Sequence, residues 1–297
     1  MLLWGYCTLS AATFTTISNG NWTDSAIWQN GQVPDPENLD GDVVNIGHDV
    51  TVQNNNVKLI GGAELNVTGV TFTLVNGNLI VEDGNASFSG ANVVIAHGFS
   101  IQLTKSSASL SMVGCEVQVG QNFQNSEGNR YLEDVCLVVD ESFQNAKGTD
   151  TLINVCAKIG NSSSGNFQND SQSSMHIVDS EFHLLNGNFQ NQSGALLTGN
   201  ISALWVENGD LQNSGTWTAP VADYCVSGQV TVAMALLPGA QNCNTIASYF
   251  NPCTCSGGSG PTPLGASTTA VDALCAGTST GSVDHTASGG TPAYTYL

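Results

Sequence analysis

Positive charge is scarce in this chain: 5 Lys and Arg stand against 24 Asp and Glu in 297 residues, a formal net charge of -19. A nucleic-acid binder needs cations to displace counterions from phosphate, so that class does not fit, and adhesion to an anionic membrane surface is disfavoured on the same ground. Long apolar runs are missing too, and none reaches the ~20 residues of a membrane-spanning helix. Catalytic signatures are absent in their familiar forms. There is no G-x-S-x-G, phosphate-binding glycine loop or dinucleotide fingerprint, and the five His (48, 97, 176, 183, 285) form no H-x-H or H-E-x-x-H pattern. The nine cysteines have no zinc spacing: Cys253-Thr254-Cys255 lacks a partner pair or a His cluster. Disulfides in an oxidising compartment are the expectation, and the odd count leaves one thiol or an intermolecular bond. Met1–Ala12 has the apolar core and small-residue end of a signal-peptide remnant without its basic start.

What the chain has in quantity is glycine, 33 residues, with Asn, Ser and Thr, a composition of turns and short strands. It also has a repeat. "NFQN" stands at Asn122–Asn125 and Asn166–Asn169 and inside "NGNFQNQSG" at 186–194, "SFQN" at Ser142–Asn145, and "DLQN" at Asp210–Asn213. The apolar residues Leu211, Phe189, Phe167, Phe143 and Phe123 extend backwards to Phe99, Leu79 and Val57, at intervals of 22, 22, 24, 20, 24, 20 and 22 residues. A period of this length in short Val/Ile/Leu/Phe strands broken by Gly, Asn and Ser indicates a solenoid of three-strand coils rather than helical or leucine-rich repeats. The fold class expected is all-β: a right-handed parallel β-helix of about eight coils over residues 53–220.

Strand alternation then assigns the unit. Leu79, Phe99, Phe123, Phe143, Phe167, Phe189 and Leu211 point inward, Gln points to water, and Asn125, Asn145, Asn169, Asn191 and Asn213 return inward at a corner. There they form an amide ladder and adopt the left-handed backbone of a sharp turn, with Gly128, Gly148, Gly194 and Gly215 following. Cys115, Cys136 and Cys156 fall into one column on this alignment, either bridging through Cys136–Cys156 or packing as small buried thiols.

The flanks differ in composition. Residues 13–52 form an N-terminal cap, in which Trp22 and Trp28 are core aromatics and Asp35, Glu37, Asp40 and Asp42 are the candidate calcium ligands, the cofactor expectation being otherwise none. Residues 221–255 form a Cys-rich terminal cap with Cys225–Cys243 as the first-choice bridge, residues 256–265 are a linker, and residues 266–297 begin a further domain. The pattern G-N-W-x-D-x-x-x-W followed by D-V-V-x-I-x-H-D-V-T-V resembles the opening of large secreted surface proteins of Bacteroidetes. C-x-G-x-x-x-G followed by S-G-G-T-P-x-Y-x-Y resembles the short immunoglobulin-like repeats of Bacteroidetes gliding and gut adhesins. The resemblance implies a cap on the β-helix at one end and an incomplete immunoglobulin-like sandwich at the other, of which Cys275–Leu297 supplies three or four strands.

The function expected is a secreted, non-enzymatic structural or adhesive surface protein whose partners are neighbouring domains, other copies of itself in a filament (by end stacking or strand addition), glycans or cell surfaces. The alternative is a polysaccharide-binding protein or a polysaccharide lyase or hydrolase, since enzymes also use β-helices. A lyase site would set acids such as Glu127, Glu133, Asp134 and Asp150 beside a basic residue on an outer face, either the only Arg, Arg130, or one of Lys105, Lys147 and Lys158.

Overall fold

The computed structural model describes residues 11–232, positions 236, 237, 241, 243 and 246 of the following segment, and the backbone of Gly265–Val271 and Ser282–Ser288. The expected signal remnant, linker and Cys7, Cys253, Cys255 and Cys275 therefore lie, wholly or nearly so, outside the described residues. Contacts divide the chain into residues 1–256 and 257–297.

The first unit is a parallel β-solenoid of about nine turns with three faces. Face A begins at Thr13–Thr15 and climbs through Val43–Ile46, Glu64–Thr68, Asn85–Ser89, Ser109–Val113, Asn129–Glu133 and Thr149–Ile153, every neighbour parallel and in register. Face B runs from Gly20–Asn21 and Val50–Val52 to Cys136–Val139 and Cys156–Ile159. Face C stacks nine short strands from Leu39–Asp40 to Leu211–Asn213. In the last coils A and B fuse into Ser174–Leu184 and Leu196–Val206, with a register irregularity at Ser180 that makes the bend. The only regular helical turn among residues 11–232 is Ser25–Ile27, capped by Asp24, whose side chain accepts the Ala26 N–H at 2.9 Å.

The coils begin 40 residues earlier than the expected boundary at residue 53, because residues 13–52 are the first coil and most of the second. Their different composition comes from a loop inserted between Gly20–Asn21 and Leu39–Asp40. Trp22 and Trp28 fold from this loop into the core at 0 and 2% exposure, their rings 5.1 Å apart edge to face. Each indole N–H finds a carbonyl, Pro34 O and Trp22 O respectively, which removes the cost of burying a polar tip. At the other end pairing continues past residue 220 through Val221–Val226 and a bridge between Leu211 and Val230.

Period-two alternation drives the core: along Ser109–Val113, Leu110 and Met112 are buried while Ser109, Ser111 and Val113 are partly exposed. On face C the inward column is Val57, Leu79, Ile101, Phe123, Phe143, Phe167, Phe189 and Leu211. Phe99 is not in it. It sits two residues earlier in the turn, half-buried against the core, its N–H donating to Ala96 O. With Ile101 in its place the intervals become 22, 22, 22, 20, 24, 22 and 22 residues. An aromatic-based alignment chose the nearer ring, whereas the fold keeps the strand position and accepts an aliphatic residue.

Candidate functional site

Polar groups inside the solenoid explain the FQN unit. Asn125, Asn145, Asn169 and Asn191 are buried at 0–1% exposure. Asn169 Nδ2 donates to Asn191 Oδ1 at 2.8 Å and Asn191 Nδ2 to Asn213 Oδ1 at 2.9 Å; Asn145 Nδ2 approaches Asn169 Oδ1 at 3.4 Å. The second amide hydrogen of each caps a face A carbonyl, that of Ser174, Leu196 or Thr216, so the ladder ties face C to the following turn. These Asn are extended strand residues, and none has a positive φ. The left-handed corners lie between faces A and B, where Gly69, Gly90 and Gly114 (φ 66, 58 and 62°) give way to Asp134 and Asn154 (φ 53 and 50°).

A second ladder went unrecognised in the sequence although its residues were part of the quoted motif. The residue just before each inward apolar residue accepts a hydrogen bond from the backbone N–H of the next coil. Asn56 serves Asn78, Asn78 serves Ser100 and Ser100 serves Asn122, while in the first coil Glu37, two residues before the inward Leu39, serves Asn56. The chain of acceptors continues through Asn122, Ser142, Asn166, Asn188 and Asp210 to the N–H of Gln229, at 2.7–3.1 Å. The signal was the first letter of "NFQN", "SFQN" and "DLQN": always an oxygen-bearing short side chain, which satisfies a corner N–H that no strand reaches.

The interior ladder stops at Asn125 because a charge pair takes its place. Arg130 and Asp150 occupy adjacent rungs of face A, in a column otherwise filled by residues such as Leu110 and Met175. Both side chains are 0% exposed and form a salt bridge. The guanidinium lies between the Phe123 and Phe143 rings, 4.5 and 3.8 Å from their centroids. It also donates to the carbonyls of Phe123 at 3.0 Å and Gln144 at 3.2 Å, and Asn125 Nδ2 donates to Asp150 Oδ1 at 2.8 Å. Burial pulls the Arg130 pKa down and pushes Asp150 up, and their mutual attraction opposes both shifts. The outer-face placement of Arg130 and Asp150 is thereby corrected: both point inward, and no substrate reaches them. Of the other acids, Glu133 and Asp134 are on the outside, Glu133 accepting the Tyr131 hydroxyl at 2.6 Å, and neither has Arg130 beside it.

The four calcium candidates do not converge. Asp35 accepts the Glu37 N–H, Glu37 binds Asn56, and Asp42 accepts the Ala12 N–H at 2.8 Å. Among the described residues no group of three or more His, Cys, Asp or Glu is placed to hold a metal ion. The cysteine column also divides. Cys136 and Cys156 are register partners on face B and both are disulfide-bonded. Cys115 is one residue out of that register, since Glu116 pairs with Cys136, and is a free buried thiol whose pKa burial pushes up. Cys225 and Cys243 are bonded to each other, Cα atoms 4.9 Å apart.

The most chemically varied outer patch is on face B, where Lys158, His183 and Trp205 stand in register. The His183 ring stacks on Trp205 at 4.2 Å, and its Nε2 lies 3.2 Å from Glu207 Oε1. Burial lowers the His183 pKa and raises that of Glu181. Ala203, Cys225 and Ile246 form a small apolar cluster with Cys156 and Trp205 packed on it. The patch thus packs, through Trp205, against Ala203, Cys225 and Ile246.

In the second unit Gly265–Val271 pairs antiparallel with Ser282–Ser288. Residues 267–297 match the SprB repeat. That repeat is of the Bacteroidetes gliding-adhesin type and occurs in cell-surface proteins. The SprB match spans about a tenth of the chain and leaves the solenoid outside it. No curated protein and no solved structure matches the chain. No helix among the described residues is long and apolar enough to cross a membrane.

Proposed function

We propose that the chain is a secreted, non-enzymatic surface protein of the adhesin type. In it a right-handed solenoid stalk, closed at its N-terminal end by the Trp22–Trp28 loop, carries an immunoglobulin-like continuation that begins in the SprB segment. The observation that carries this reading is the SprB match in the same chain as a parallel solenoid. The interior position of Arg130 supports it further, because the one guanidinium available for uronate chemistry is spent on the core. Assembly into filaments by end stacking or strand addition belongs to the same proposal.

The competing reading is a polysaccharide-binding protein, lyase or hydrolase. Replacing Arg130 does not separate the two, since breaking the buried pair lowers stability whether or not the residue takes part in catalysis. Two measurements on the full chain do. Protease shaving of intact producing cells should remove the protein. Incubation with acidic and neutral polysaccharides, with and without calcium, should release neither new reducing ends nor unsaturated uronates. Sustained turnover in that screen would sink the non-enzymatic reading.

A further inference from the structure

Face C carries one outward side chain per coil, and over six successive coils it is the same one. Gln102, Gln124, Gln144, Gln168, Gln190 and Gln212 are register partners along the sheet. At ~4.8 Å per coil the row runs for roughly 24 Å. Its inward neighbours change: Ile101 and Leu211 replace Phe, and Leu103 replaces Asn. Packing constrains those inward positions and yet they vary, whereas the outward position, which packing leaves free, holds to Gln across all six coils. Internal bonding explains only part of this constancy. Gln190 Nε2 donates to Gln212 Oε1 at 2.9 Å and Gln212 Nε2 to Asp210 Oδ2 at 3.1 Å, whereas no hydrogen bond joins the side-chain amides of Gln102, Gln124 and Gln144 to a described residue. All six are half-buried.

We infer that the glutamine row is a lateral self-association seam, on which the Gln row of a second copy of this chain docks side by side. Three features favour that occupant. An amide both donates and accepts, so the row is complementary to itself under a two-fold axis. A second solenoid has the same coil spacing, so amides that meet at one rung meet at every rung, as in stacked Gln and Asn ladders. The row is also uncharged in a chain of net charge -19, where apposing an acidic surface to its copy is repulsive. This seam is separate from the ends of the solenoid and does not depend on the adhesin reading.

Sedimentation equilibrium of the full chain from ~10 μM to ~1 mM tests it. A row this narrow buries less than a standard interface, so a reversible dimer with a dissociation constant of roughly 100 μM is expected. Raising the salt from 20 to 200 mM should tighten it by screening the repulsion between copies. The triple variant Gln102→Thr, Gln124→Thr, Gln144→Thr keeps strand-forming residues on the face and should weaken dimerisation at least tenfold, with unfolding midpoint and circular dichroism unchanged. A wild-type chain monomeric to 1 mM would overturn the inference. So would association that survives in the triple variant, which would belong to the solenoid ends or strand edges. A monomer that instead retains a neutral glucan through these glutamines would assign the row to glycan and overturn it as well.

Discussion

Asp150→Ala removes one member of a fully buried ion pair and leaves the Arg130 guanidinium inside the core with two carbonyls and two aromatic rings for company. A buried charge stripped of its partner costs about 3–5 kcal/mol. At about 2–4 °C per kcal/mol for a domain this large, the melting midpoint should fall by roughly 6–20 °C. The second half of the experiment restores apolar continuity. Arg130→Leu with Asp150→Met extends the residue types that Leu110 and Met175 already supply on either side. It also frees Asn125 Nδ2, now held by Asp150, to donate to Asn145 Oδ1, a buried acceptor with no partner. The double variant should therefore recover most of the loss, and replacement of buried ion pairs elsewhere predicts anything from neutrality to a gain of about 1–4 kcal/mol. Urea unfolding followed by circular dichroism, run on the wild type, Asp150→Ala, Arg130→Leu, Asp150→Met and the double, measures the coupling directly. A double variant less stable than Asp150→Ala would refute the reasoning, because the pair would then contribute more than the burial penalty it relieves.

Three further outcomes follow from particular contacts. Asn188→Ala deletes the acceptor of the Asp210 N–H in the corner ladder and should cost about 1–3 kcal/mol, with amide exchange at Asp210 rising by one to two orders of magnitude. Gly187→Ala places a methyl 1.9 Å from Gly165 O at a φ of 139°, so it should be clearly destabilising in the same urea titration, whereas Gly47→Ala, with open space around it, should not. Glu82 lies between Lys105 and Lys58 at 2.8 Å each, and hydrogen bonds from these lysines, Lys105 first, lower its pKa from 4.5 to about 2. A carboxylate whose folded pKa is depressed contributes stability that is complete above the unfolded value and fades as pH falls through the folded one. The stability difference between wild type and Glu82→Gln should accordingly shrink between pH 4.5 and about 2 and diminish in high salt, because the two lysines that hold the carboxylate reach solvent.

Much of the solenoid was legible in the linear sequence because its coils repeat their physics. A 22-residue spacing of inward apolar residues, alternation of period two and Gly–Asn corners specify parallel stacked strands locally, and FQN shows its inward Phe and Asn without coordinates. Three things were not legible. Strand register fixes which residue of a drifting coil faces in, so Ile101 rather than Phe99, and Glu116 rather than Cys115, could be placed only once neighbours were paired. The Trp22–Trp28 loop hid the first coil, since an insertion between strands changes composition without changing the stack. Arg130 read as a surface cation because charge alone predicts exposure. Its burial is possible only where the next coil brings Asp150 and two phenylalanines, remote in sequence, within a few ångströms. Sequence by itself determined the pitch and most of the inside of this protein, because periodic burial is a local pattern. Tertiary structure alone decided which polar groups meet, because a hydrogen bond between coils depends on a one-residue choice of register that composition does not record.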